Sequence, residues 1–136
     1  MHRFAVVLLF AAVIVTEAAI TPEDLVKFGR ARRDCDRTVP VDSSVIDRVI
    51  QGAMINDRQF FCYAACVVKE LGLATADGSL MVDKVISKIP EGLPNRDTIV
   101  NAVNECGTKK AADPCDTAQM VFNCFHEKNV PSLLMG

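Results

Sequence analysis

Six cysteines are the residues whose type and spacing could carry chemistry in this 136-residue chain, namely Cys35, Cys62, Cys66, Cys106, Cys115 and Cys124. Thiolates in such numbers either ligate zinc or pair as disulfides. Zinc is disfavoured, because no Cys-x-x-Cys pair occurs and His126 is the only histidine beyond the N-terminal segment. An even number of cysteines in a short chain with a secretion signal is typical of a disulfide framework. We therefore predict three disulfides, no metal and no other cofactor.

The remaining reactive side chains form no catalytic motif. The sequence has no Gly-x-Ser-x-Gly turn, no His-Glu-x-x-His helix and no His-Asp pair after a cysteine of the kind that secreted phospholipases A2 require. A secreted helical hydrolase would need a histidine base, and His126 stands alone. We therefore predict that the protein is not an enzyme. His126 is interpreted either as a favourable group at a helix end or as a pH switch.

The first segment is typical of a signal peptide. Arg3 gives it a basic start, and residues 4–15 form an unbroken apolar run. This run is shorter than the roughly 20 residues that span a bilayer, but it has the length of a signal-peptide core. Thr16 and Ala18 fall at the positions that the signal peptidase reads, so we predict a signal peptide over 1–18 and a secreted, extracellular domain over 19–136. No second long apolar run follows, so stable membrane insertion is not expected.

The charge distribution argues against a nucleic-acid partner. The formal net charge is −2. The one basic cluster, residues 30–33, is followed at once by Asp34 and Asp36. Nucleic-acid-binding surfaces need a continuous excess of positive charge, so this cluster is interpreted as a solvated helix end.

The elements that position the cysteines are predicted to be helices, because helix signals recur along the mature chain and strand signals do not. The first helix begins at Thr21 and Pro22, and it runs to about Arg33 with Leu25 and Phe28 facing inward. A second helix is capped by one of the serines at 43 and 44 and carries an apolar face over residues 45–50.

The third helix has the strongest pattern. Asn56 and Gln59 resemble a capping box, and Gly72 stands where a C-terminal glycine belongs. The residues between them are apolar nearly all round, which predicts a helix buried at the centre of the domain. Asp77 and Gly78 predict a turn after this helix.

Three further helices complete the predicted set of six. The fourth carries an apolar stripe over residues 82–89 and is stopped by Pro90, the fifth is capped by Asn95, and the sixth opens at Asp113 and Pro114. Pro131 is predicted to break the chain away from the sixth helix, and the apolar tail of residues 133–135 is predicted to fold back over the helices. The tail then either closes a wall of a cavity or covers an outer groove.

Helix geometry restricts the cysteine pairing. Cys62 and Cys66 lie one turn apart on the same face of the third helix, where a disulfide would constrain almost nothing. Cys115 and Cys124 are about 13 Å apart along the sixth helix and on opposite faces, whereas bridged Cα atoms lie within about 7 Å. Each of these two helices must therefore send its cysteines to different partners, and several pairings remain open.

The order Cys35-x26-Cys62-x3-Cys66-x39-Cys106-x8-Cys115-x8-Cys124 resembles that of the six-cysteine insect odorant-binding proteins, which include pheromone-binding and general odorant-binding members. Three residues between the second and third cysteines, and eight between the fifth and sixth, are the signature of that family. The resemblance covers essentially the whole mature chain. Carried over by position, it implies the pairs Cys35–Cys66, Cys62–Cys115 and Cys106–Cys124.

The resemblance implies an all-α fold, a compact six-helix domain that encloses a hydrophobic cavity. It also implies a secreted carrier of odorants or pheromones in sensory lymph. Its partners would be a small hydrophobic ligand and an olfactory receptor, and it would be a monomer or a weak homodimer. The alternative is a carrier of the same fold that binds lipids or other small ligands in haemolymph, gut or saliva.

The inward faces of the helices and the tail predict which residues line the cavity. Apolar stripes alone favour a packed core without a cavity, and the resemblance reverses that preference. The residues predicted to line the cavity are Phe61, Ala65, Val68, Ile86, Ile89, Val103, Met120, Phe125, Leu133 and Leu134.

Overall fold

The computed structural model describes residues 20–135, with side chains up to residue 133, so the predicted signal peptide lies outside the described residues. The described part of the chain is helical, and its only β-pairing is an isolated bridge between Ala74 and Leu80. The helices are α1 (Pro22–Thr38), α2 (Ser43–Ile50), α3 (Arg58–Glu70), α4 (Val82–Ser87), α5 (Arg96–Cys106), α6 (Pro114–Glu127) and α7 (Val130–Met135). The predicted all-α fold class is confirmed.

The first helix begins as predicted and ends later. The Thr21 hydroxyl accepts the Asp24 N–H, and the Asp24 carboxylate accepts the Thr21 N–H, so the two residues form a capping box. The helix then continues past Arg33 to Thr38. It stops there because Pro40 disfavours helical backbone in the residue before it.

Two predicted caps are displaced by one residue. The carboxylate of Asp42 caps α2 by accepting the Ser44 N–H at 3.1 Å, so neither serine is the N-cap. The carboxylate of Asp57 caps α3 by accepting the Phe60 N–H at 3.3 Å, so Asn56 is not the N-cap. Aspartate caps a helix as well as serine or asparagine does, so composition alone does not separate adjacent candidates.

The tail forms a seventh helix rather than an irregular extension. Asn129 has φ 58° and turns the chain after α6, which is the left-handed conformation in which helices commonly end. Pro131 then stands in the first turn of α7, where proline is tolerated because its missing N–H has no helical partner. The expectation that Pro131 would break the helix is therefore wrong: the break is at Asn129.

The core is built around α3, which packs mainly against α6 and also against α1. Phe60, Phe61 and Phe122 meet edge to face, with ring centroids 5.5 to 5.8 Å apart. Each such pair contributes about 0.5–1.5 kcal/mol beyond the burial of its area. The inward positions of α3 are therefore filled by neighbouring side chains.

Three disulfides connect four of the helices. Cys35–Cys66 joins α1 to α3, Cys62–Cys115 joins α3 to α6, and Cys106–Cys124 joins α5 to α6. These are the pairs that the family resemblance implies, and their Cα separations are 5.9, 4.4 and 5.5 Å. In the chain-entropy model, loops of these lengths give each bond a stabilisation of about 3–4 kcal/mol.

The predicted turn between α3 and α4 is present at Asp77 and Gly78. The Asp77 carboxylate accepts the Ser79 N–H at 3.1 Å and the Thr75 hydroxyl. Gly78 has φ +92°, and a Cβ at this position would lie 2.8 Å from the Cα of Pro114. Glycine is therefore required both by the backbone conformation and by the close approach of α6.

Candidate functional site

A pocket of about 530 Å³ lies among α2, α4, α5, α6 and α7. We call it the central pocket. Its walls are formed by Ile20, Val49, Ile50, Gly52, Ala53, Val85, Lys88, Ile89, Pro90, Leu93, Ile99, Val103, Phe122, Phe125, His126, Val130 and Pro131. The volume is within the range of about 300–1,000 Å³ that is usual for small-molecule sites.

Helical periodicity explains how α5 and α6 contribute to this wall. Ile99 and Val103 are four residues apart, so they lie on one face of α5, and both are almost fully buried. On α6, Phe122 lies three residues before Phe125 and four before His126, so these side chains also point to one side of their helix. Phe122 also packs against the phenylalanines of α3, so the aromatic core fixes the back of the pocket.

The chemistry of the wall is that of apolar binding. Its side chains are aliphatic or aromatic, apart from Lys88 and His126, which are the two ionisable residues among its described members. No nucleophile and base face each other there. A ligand would be held by burial of its hydrocarbon surface, at about 0.8 kcal/mol for each methylene removed from water.

His126 is fixed by a hydrogen bond across the pocket rim. Its Nε2–H donates to the backbone carbonyl of Gly52 at 2.9 Å, which ties the end of α6 to the loop after α2. Its ring lies 6.0 Å from that of Phe122. A carbonyl oxygen can only accept, so Nε2 carries a hydrogen in this contact.

Three of the residues predicted to line the cavity are in the wall of the central pocket: Ile89, Val103 and Phe125. Phe61 and Ala65 are instead buried residues of α3, and Phe61 belongs to the core cluster that includes Ala31 and Cys35 of α1. Periodicity assigns these residues to an inward face, but it does not distinguish a face that meets a neighbouring helix from one that borders a void.

The other predicted lining residues lie outside this wall. Val68, Ile86 and Leu133 are half-buried at other positions. Met120 is 41% exposed and lies on the outer side of α6. The side chain of Leu134 is outside the described residues.

Much of the wall comes from segments that helix patterns do not address. Gly52 and Ala53 follow α2, Pro90 and Leu93 belong to the loop after α4, and Ile20 precedes α1. The apolar character of the loop over residues 89–94 was the available signal. An exposed loop has no reason to carry so many apolar residues, whereas a loop that closes a pocket does.

A second concavity, of about 600 Å³, lies between α1 and α4. We call it the lateral groove. It is lined by Ile20, Asp24, Leu25, Lys27, Phe28, Leu71, Gly72, Leu73, Lys84, Ser87 and Lys88. Leu25 and Phe28 are 65% and 44% exposed, so the expectation that they face the core is wrong. In α1 the buried positions are Ala31 and Cys35, which face α3.

An ion pair crosses the lateral groove. The Lys88 ammonium donates to the Asp24 carboxylate at 2.8 Å. The pKa of Asp24 is lowered to about 2, mainly by this hydrogen bond and next by the hydrogen bond from the Thr21 N–H. Asp24 therefore stays ionised throughout the physiological pH range and keeps α4 attached to the start of α1.

Within residues 20–135 no group of three or more His, Cys, Asp or Glu side chains is placed to hold a metal ion. In the same range no helix is both long and apolar enough to cross a membrane.

Cross-linked helices around an apolar pocket are typical of a helical ligand-binding protein. Residues 17–128 match the model of the PBP/GOBP family, the pheromone-binding and general odorant-binding proteins. The chain belongs to this family, whose members are carriers of small hydrophobic ligands rather than enzymes.

Individual relatives agree with this assignment. The chain is 25% identical to general odorant-binding protein 69a of Drosophila melanogaster over 107 residues, which covers 78% of this chain and 71% of the relative. It is 27% identical to general odorant-binding protein 72 of Anopheles gambiae over 116 residues, which covers 82% and 95%.

Solved structures of similar fold include two odorant-binding proteins. One, from Locusta migratoria, superposes with a TM-score of 0.69 at 19% identity over 85% of this chain and 90% of that one. The other, from the medfly, superposes with a TM-score of 0.60 at 26% identity over 79% of this chain and 92% of that one.

Proposed function

We propose that this protein is a secreted carrier that binds one small hydrophobic molecule, an odorant or a pheromone, in the central pocket and transports it through aqueous sensory lymph. The observation that carries the proposal is the almost wholly apolar wall of a pocket of about 530 Å³. Membership of a family of odorant carriers supports it further.

The energetics of such a pocket suit reversible transport. A ligand with ten buried methylenes gains roughly 8 kcal/mol, from which the cost of association is subtracted. The remainder corresponds to affinities around the micromolar range or weaker. A carrier that must release its ligand needs no tighter binding.

The cellular setting belongs to the same proposal. We infer that a signal peptide over residues 1–18 directs the protein out of the cell, and N-terminal sequencing of the protein purified from tissue tests cleavage after Ala18. A carrier in haemolymph, gut or saliva would use a similar pocket. Localising the protein by tissue separates that alternative from olfaction, since antennal restriction supports transport in sensory lymph.

The binding proposal is tested with a neutral fluorescent probe, N-phenyl-1-naphthylamine, displaced by medium-chain alcohols. We expect saturable binding near one probe per chain. Phe125→Ala removes an aromatic part of the wall and should weaken probe binding about tenfold, because we expect the lost contact to contribute about 1.4 kcal/mol, less than the burial of a whole phenylalanine side chain. Met120→Ala on the same helix is the matched control, since Met120 is outside the wall. Equal affinity in both variants would exclude the central pocket as the site.

A further inference from the structure

The lateral groove has an excess of positive charge over an apolar floor. Three lysines line it, Lys27, Lys84 and Lys88, together with a single acid, Asp24. Its other large side chains are apolar, and they come from α1 and from the segment after α3. An anion with a hydrocarbon portion therefore complements this surface in both respects.

The acid is already engaged by neighbouring groups. Asp24 accepts the Lys88 ammonium at 2.8 Å and the Thr21 N–H at 2.9 Å. Among the ion pairs of the described residues, none includes Lys27 or Lys84. An ammonium has three donors, so Lys88 can hold Asp24 and a second carboxylate at the same time.

The groove and the central pocket meet at two residues. Ile20 and Lys88 line both of them. The ammonium of Lys88 therefore stands where the hydrocarbon wall of the pocket gives way to the charged surface of the groove. A molecule with an apolar chain in the central pocket would present its polar end at this junction.

We propose that the preferred ligand is a long-chain carboxylate, with its alkyl chain in the central pocket and its carboxylate in the lateral groove, held by Lys88 and attracted by Lys84 and Lys27. The inference rests on the proposed function, because it requires the central pocket to take the chain. The alkyl chain gains burial as a neutral chain would, while the carboxylate keeps part of its hydration and gains ion pairs. A neutral alcohol of equal length gains only the burial.

The size of the preference follows from the exposure of the lysines. An ion pair between partly exposed groups changes an affinity by a factor of up to about five. Two or three lysines acting on one carboxylate should favour the acid over the alcohol about tenfold at low salt. This preference should shrink in high salt, because exposed charges are screened.

The experiment measures displacement of N-phenyl-1-naphthylamine by dodecanoate and by 1-dodecanol at pH 8, with low and high salt, on the full mature protein. Lys84→Met should weaken dodecanoate two- to fivefold and leave dodecanol unchanged, because Lys84 lines only the groove. Lys88→Met should weaken dodecanoate more than dodecanol, because Lys88 also lines the central pocket. Lys110→Met is the matched control, because Lys110 pairs with Asp77 and lines neither the pocket nor the groove. In this control the preference for the acid should be retained.

A second readout locates the head group. Dodecanoate labelled with ¹³C at its carboxyl should titrate, when bound, with a pKa below that of the same acid bound to Lys84→Met, because nearby ammonium groups favour the ionised form. Its carboxyl resonance should be unaffected by Lys110→Met.

The outcomes separate the two proposals. If neither dodecanol nor dodecanoate displaces the probe, the proposed function and this inference both fail. If dodecanol displaces it and dodecanoate is no stronger, or if the lysine variants leave the acid's preference unchanged, the inference alone fails. If the protein co-sediments with phosphatidylserine vesicles and does not prefer monomeric dodecanoate to dodecanol, the groove binds a lipid surface and the inference is overturned.

Discussion

Removal of α7 should open one side of the central pocket. Val130 and Pro131 belong to the pocket wall, and Val130 is almost fully buried. A chain that ends after Asn129 loses both. We expect a loss of about 1.5–3 kcal/mol of folding free energy from the valine, which is the usual contribution of a fully buried valine.

Ligand affinity should also fall, and the loss of binding free energy should be somewhat smaller than the loss of folding free energy. The ligand loses contact with two of the wall residues and gains exposure to water at the same side, so about 1–1.4 kcal/mol of burial is lost and the Kd should rise five- to tenfold. The assay is displacement of N-phenyl-1-naphthylamine at pH 7 and pH 5, with circular dichroism as the check on helicity.

Point variants within α7 make the result specific. Val130→Ala should reproduce part of the loss in both stability and affinity, whereas Ser132→Ala should change neither, because Ser132 is exposed and outside the wall. The reasoning is refuted if the shortened chain keeps its helicity and binds the probe with unchanged Kd at both pH values. In that case α7 would be a cover over an outer surface.

Three further substitutions test the architecture that supports the pocket. Gly78→Ala places a Cβ at positive φ and 2.8 Å from backbone of α6, so thermal unfolding should show a loss of about 2 kcal/mol or more. Thr117 is fully buried, and its hydroxyl accepts the Ala111 N–H at 3.0 Å. Thr117→Val should lower the free energy of unfolding in urea by about 1–3 kcal/mol, because the Ala111 N–H loses its acceptor. An unchanged urea midpoint would contradict this. Lys88 lowers the pKa of Asp24 from 3.8 to about 2. The ionised carboxylate therefore stabilises the folded protein above pH 3.8, and this stabilisation is lost as the pH falls through about 2. Asp24→Asn should therefore destabilise the protein at pH 7 and match the unaltered protein near pH 2, and a destabilisation independent of pH would exclude the charge as its cause.

The sequence was informative wherever one residue had few alternatives. Thr21 and Pro22 predicted the start of α1, Gly72 predicted the end of α3, and Asp77 with Gly78 predicted the turn before α4. In each case the residue type satisfies a backbone requirement that other residues meet poorly. Such local requirements can be recognised without knowledge of the rest of the fold.

Prediction failed where the outcome depended on neighbours. Leu25 and Phe28 have the spacing of an inward face, but α1 turns Ala31 and Cys35 towards α3 instead. Small residues permit a closer approach of two helices, and the Cys35–Cys66 bond fixes that approach. The larger apolar residues are consequently left at the lateral groove.

The pocket wall was predictable only in part, for a similar reason. Val103 and Phe125 were identified because they belong to helix stripes, whereas Pro90 and Leu93 lie in a loop with no period. Phe61 was assigned to the lining because it is apolar and inward, yet it packs against Phe60 and Phe122. Whether an inward residue meets a void depends on the packing of the helices around it.

The three disulfides also divide the protein mechanically. They connect α1, α3, α5 and α6 into one covalent frame, and they leave α2, α4 and α7 without a covalent cross-link. These three unbonded helices all contribute to the pocket wall, and neither α2 nor α4 has a buried residue.

The pocket wall therefore has one part formed by helices that disulfides connect and another part formed by α2, α4 and α7. We expect amide hydrogen exchange to be fast in α2, α4 and α7 and slow in the frame, because segments with few buried contacts open locally at low free energy. A ligand can then enter and leave while the frame remains folded. We therefore expect the rate of ligand exchange to be set by local opening of α2, α4 and α7, so that it can change during evolution without any change in the disulfides.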